Sequence, residues 1–95
     1  MKIPEKVKIS GLEYEIMLAN RYGDHGARTS GTCDNNRCKI WIDTGEVPQC
    51  CQESTLFHEI IEAINSTNDL GLSHTQISVL ETILYAVLID NNFLK

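Results

Sequence analysis

The chain predicts an α+β fold: a small, largely antiparallel sheet from residues 6–43 packed on two helices at about 48–66 and 74–91. Three observations carry that prediction. Polar and apolar residues alternate at period two in the runs before residue 43, the mark of half-buried strands. Beyond residue 48, apolar residues recur every three or four positions, as on amphipathic helices. The 95 residues suit one domain, not two, so sheet and helices share a core.

Lys6-Val7-Lys8-Ile9-Ser10 alternates and is broken by Gly11; Glu13-Tyr14-Glu15-Ile16-Met17-Leu18 then alternates again. With only Gly11 and Leu12 between the runs, a tight hairpin is predicted. Residues 20–31 hold three glycines and little apolar content, and read as a loop. Thr32-Cys33 and Cys38-Lys39-Ile40-Trp41-Ile42-Asp43 flank Asp34-Asn35-Asn36-Arg37. Asp and Asn tolerate left-handed turn geometry, so a four-residue hairpin loop is expected, with Cys33 opposite Cys38. Ile40 and Ile42 face one side of that strand, and Lys39, Trp41 and Asp43 the other.

Pro48 suits the first turn of a helix whose apolar stripe is Leu56, Phe57, Ile60, Ile61 and Ile64. Residues 67–72 form a turn broken by Gly71, and Ser73 is a good N-cap for the second helix. The stripe of that helix is Ile77, Leu80, Leu84, Val87 and Leu88. It is apolar around much of its circumference, which predicts a place at the centre of the core.

Thirteen acids against eight Lys and Arg give a net charge of −5, unevenly spread. Residues 1–39 carry seven bases and five acids, a net of +2; residues 40–95 carry one base and eight acids, a net of −7. An acidic half argues against a nucleic-acid partner, which is held by Lys and Arg on phosphates, and suits a bound cation. No apolar run approaches the ~18 residues needed to span a bilayer. The opening Met1-Lys2-Ile3-Pro4-Glu5-Lys6 has no apolar signal segment, so a cytoplasmic protein without a membrane partner is expected. In such a reducing compartment Cys33, Cys38, Cys50 and Cys51 are free or metal-bound. An adjacent pair, Cys50-Cys51, is a poor second hook for a zinc ribbon, so structural thiols are expected.

The chemistry concentrates in Thr55-Leu56-Phe57-His58-Glu59-Ile60-Ile61-Glu62-Ala63-Ile64. On a helix His58 and Glu62 project from one face about a turn apart, the separation needed to grip one metal ion. Glu59 is offset by ~100° and can lie beside the ion without ligating it. In HExxH metallopeptidases the residue at that offset is the general base; here the fifth position is Glu62, giving HExxE. A helix with one His and two Glu also arises by chance on a solvated face. Against that, these polar groups sit in a strongly apolar helix, where an unpartnered carboxylate is costly and a cation is a natural partner. A third ligand could come from His74 at the start of the second helix, or from Glu81, which falls level with His58 in an antiparallel pair. One ion is not expected to take both, since they lie about 10 Å apart along the axis.

With these residues in view, the chain resembles a family of short phage- and prophage-encoded zinc metallopeptidases of the zincin-like type. The likeness runs through the opening Lys2 to Glu15, the hairpin with Lys39-Ile40-Trp41-Ile42-Asp43, the helix motif Ser54 to Ile61, and the close Leu84-Tyr85-Ala86-Val87-Leu88-Ile89-Asp90-Asn91. Some members of that family are similar in carrying HExxE followed by a His where His74 stands. The resemblance implies His58, Glu62 and His74 as ligands of one divalent metal, expected to be Zn²⁺, and Glu59 as general base on a metal-activated water. The implied partner is a protein or peptide substrate in a bacterial host. Tyr22, His25 and Arg28 in the glycine-rich loop are candidates for stabilising an oxyanion. The rival expectation is a non-catalytic, metal-stabilised module that binds a host or phage protein, for which Trp41 matters more than Glu59. A thiol-based sensor ranks third.

Overall fold

The computed structural model describes residues 1–20 and 30–94. Six elements follow in chain order: β1 (Lys6–Ile9), β2 (Leu12–Ala19), β3 (Gly31–Asp34), β4 (Lys39–Asp43), α1 (Gln49–Asn68) and α2 (His74–Asp90). The α+β class, the strands and both helices stand where the sequence puts them.

The sheet has the order β1-β2-β4-β3. β1 with β2 and β3 with β4 are antiparallel hairpins, and they join through a parallel β2–β4 pair in which Ile16 stands beside Ile40 and Leu18 beside Ile42. The sheet is therefore mixed. Alternation marks which side chains point inward but says nothing about which edges meet, so the parallel seam leaves no local trace. The first hairpin turns through Ser10 and Gly11, with φ of 53° and 80°, and not through Gly11 and Leu12 as the alternation suggests, since Leu12 already pairs with Ile9. Two left-handed residues make the tight turn that follows the twist of the strands.

The second hairpin corrects one expectation. Asp34 pairs with Lys39 and Cys33 with Ile40, so the loop is residues 35–38 and Cys38 is its last member, at φ 53°. The cause is Asp34, whose carboxylate accepts from the backbone N–H of Asn36 at 3.1 Å and of Arg37 at 3.2 Å. That turn within a turn starts one residue late and swings Cys38 out of register with Cys33.

Tyr14, Ile16, Ile40 and Ile42 from the sheet pack with Leu56 and Ala63 of α1 and with Ile3 and Ile9. Helix α1 is thus the middle layer, with the sheet on one side and α2 on the other. Among the described residues, helix α2 packs on α1 and on no strand. Its expected place at the centre of the core is therefore overturned. Ile77 is its one buried residue, while Val79, Leu80, Ile83, Leu84 and Val87 are exposed. A helix packed on a single neighbour buries one stripe, whatever the composition of the rest.

The return between the helices is closely held. Asp69 ends α1 in the left-handed conformation, and its N–H donates to the Asn65 carbonyl. The Asn65 side chain accepts from Leu72 N–H at 2.8 Å, bridging the turn. Ser73 then caps α2 with a reciprocal box: its hydroxyl accepts from Gln76 N–H at 3.1 Å, and Gln76 Oε1 accepts from Ser73 N–H at 2.8 Å. These bonds fix where His74 emerges.

Candidate metal centre

His58, Glu62 and His74 converge on the seam between α1 and α2. One ligand atom from each lies within 4.8 Å of the other two. His58 Nε2 is 3.7 Å from Glu62 Oε1, and the rings of His58 and His74 are 5.3 Å apart, tilted by 59°. A tetrahedral ion with bonds of ~2.1 Å holds its ligand atoms ~3.4 Å apart, so small side-chain rotations bring this trio to bonding distance. Two imidazoles and a carboxylate are a donor set that zinc accepts. The three residues form a group that could hold a metal ion.

Glu81 also reaches the site, on the opposite side of the same ring. Its Oε1 is 2.9 Å from His58 Nδ1. A carboxylate only accepts, so Nδ1 carries the hydrogen and the Nε2 lone pair is turned toward Glu62. Ser54 Oγ donates to the other oxygen of Glu81. Helix arithmetic put Glu81 level with His58, and the resemblance implied His74. Both are at hand, with Glu81 orienting the ring that His74 and Glu62 face.

Glu59 stands apart from the trio and lines a cavity of about 460 Å³ with His58, His74 and Glu81. It is 6% exposed, which is unusual for a carboxylate. Burial pushes its carboxyl up to about 7, with Glu62 and Glu81 adding and His58 opposing. Such a group gives up and takes a proton near neutrality, as a general base must.

Two contributors escaped the sequence reading. Ser54 lies four residues before His58 on the same helix face, a spacing that could have pointed to it. Gly31 begins the edge strand β3 where it crosses α1. A Cβ there would stand 2.6 Å from Thr55 Cγ2, 2.9 Å from the Trp41 carbonyl oxygen and 3.2 Å from Glu59 Cγ. We expect Gly31→Ala to lower stability by ~1–3 kcal/mol, as overpacking does. A urea midpoint equal to that of the parent would show that β3 moves off α1 without cost.

The cysteines are free thiols. Burial first, then the carboxylates of Glu59 and Glu62, push Cys33 up to about 12, so it stays protonated. Its thiol donates to Asn35 Oδ1 at 3.4 Å, which also accepts from Tyr14 OH at 2.8 Å. Among the described residues no group of three metal-ligating side chains includes a cysteine. Tyr22, His25 and Arg28 lie outside the described residues. Among the described residues, no helix is long and apolar enough to cross a membrane. No protein-family model, curated protein or solved structure matches the chain.

Proposed function

We propose that the protein is a metal-dependent hydrolase of the zincin-like type, acting on a peptide bond, with Zn²⁺ held by His58, Glu62 and His74 and Glu59 as general base. The observation that carries the reading is the division of labour on one turn of α1. His58 and Glu62 turn into the ligand group. Glu59, between them in sequence, is instead buried against the adjoining cavity.

A bound divalent ion would act as a Lewis acid on a carbonyl oxygen and acidify water. The protein's own groups do the rest. Glu81 keeps the Nδ1 hydrogen of His58 and fixes the plane of its ring, and Ser54 fixes Glu81. Glu59 takes a proton on a carboxylate oxygen as the nucleophile forms, and returns it to the departing amine. Its burial keeps bulk water from competing for that proton. Ser30 and Gly31, at the start of the edge strand β3, line the cavity together with residues of α1 and α2. The resemblance to short phage- and prophage-encoded metallopeptidases supports the same chemistry and suggests a bacterial host.

The test is direct. Protein purified without added metal is assayed for bound ions, then reconstituted with zinc and incubated with an unstructured protein substrate. Cleavage should appear, cease on chelation and return with zinc. Bound zinc without cleavage of any substrate offered would leave the ion a structural role, in a module that binds another protein.

A further inference from the structure

Helix α2 has two unlike faces. The inner one, with His74, Ile77, Glu81 and Tyr85, meets α1 and the metal centre. The outer one is apolar and open: Val79, Leu80, Ile83, Leu84 and Val87 are each between 42% and 60% exposed. Their spacing of one, three, one and three residues forms an unbroken stripe along the helix. Those five side chains leave roughly 400–500 Å² of apolar surface in water, over half of the ~800 Å² that each partner contributes to a stable interface. The polar flanks, Gln76 and Thr82 among them, supply much of the rest.

The charge pattern selects the occupant. From His74 to Ile89 the only charged residue is Glu81, which is turned inward to His58. The chain as a whole carries −5, so two copies repel over most of their surface, yet this face can meet itself with no like charges in contact. Helix α2 itself carries no Lys or Arg, which a face for an anionic bilayer needs. Asp90 closes the stripe at the C-terminal end, on the same side of the helix as Val79 and Ile83 by a rotation of ~100° per residue. In a parallel pair Asp90 would confront its own copy. In an antiparallel pair centred on Ile83 it lies over Gln76, at the positive end of the other helix.

We propose that this face is a homodimer interface in which two α2 helices pair antiparallel about a two-fold axis at Ile83. A shallow groove of about 410 Å³ runs from His74 through Ser78 and Thr82 to Val79 and Ile83. The second copy forms its outer wall, so the approach to the metal centre is completed by the dimer. The inference is independent of whether the centre is hydrolytic.

Sedimentation of the full chain at ~50 μM, well above the Kd of an interface of ordinary size, should give twice the 10.7 kDa chain mass. Ile83→Glu and Ile83→Lys should each sediment as monomers with the parent's circular dichroism, their apparent Kd raised at least ~100-fold, since each sets like charges together at the axis. An equimolar mixture of the two should recover the dimer, which is the mark of self-pairing at that residue. Asp90→Lys should weaken the parent dimer. A monomeric parent, charge variants that dimerise like the parent, or a mixture that stays monomeric would overturn the proposal. A parent that is monomeric and floats with phosphatidylcholine vesicles would do so in favour of a lipid surface. Tighter association of Asp90→Lys would overturn the antiparallel arrangement.

Discussion

His58→Ala is expected to reduce bound metal from one ion per chain to none in protein purified without added metal. The imidazole does two things at once. Its Nε2 completes the group with Glu62 and His74, and its Nδ1 pairs with Glu81 across the seam. Alanine removes a ligand and leaves two carboxylates facing an emptied space, so affinity should fall by more than ~100-fold, beyond the loss of an outer partner alone. An ion held by His58, Glu62 and His74 would bind the folded chain and join α1 to α2, so chelation should lower the melting temperature of the parent. An excess of ligand at 100 times Kd stabilises by ~2.7 kcal/mol. The melting temperature of His58→Ala should be insensitive to chelator. Elemental analysis with a chelator-dependent melt decides the matter: parental stoichiometry in the variant would sink the metal centre as described.

Glu59→Gln is expected to keep the ion and lose hydrolysis by ~10²-fold or more. The same change carries a stability signature with a definite sign. The folded-state pKa of Glu59 is raised from 4.5 to about 7, chiefly by burial. Its contribution to stability is therefore complete below pH 4.5 and is lost as pH rises through about 7. At pH 8 the metal-free fold holds a buried negative charge that costs on the order of 1–3 kcal/mol. Glutamine keeps the shape and drops the charge, so metal-free Glu59→Gln should be more stable than the parent at pH 8 and equal to it near pH 4. Chemical denaturation at the two pH values reads this without any substrate. Equal turnover in variant and parent would make Glu59 a mere polar edge of α1, and loss of the ion would exchange its role with that of Glu62.

Much of the architecture was legible because the local signals agreed with one another. The alternation around Tyr14 and Ile16, the break at Gly11, and the Ser73 cap each name an element on their own. The one-turn spacing of His58 and Glu62 named the heart of the centre. What was hidden depends on long-range partners. Leu80 and Leu84 read as core because periodicity reports an apolar face, not whether the same chain covers it. Cys38 read as the partner of Cys33 because its register depends on which amides Asp34 captures. His74 and Glu81 could not be ranked from spacing because both come within reach of His58, His74 in the group with Glu62 and Glu81 on Nδ1.

The bridge from Asn65 to Leu72 and the reciprocal cap at Ser73 make the turn a measuring device. A residue added to the turn or taken from it would break these bonds, which set where His74 stands relative to His58 and Glu62. The spacer lengths are therefore as much a part of the recognition signature as the side chains. In this chain the intervals are a His-Glu-x-x-Glu helix, eleven residues, a His, six residues and a Glu.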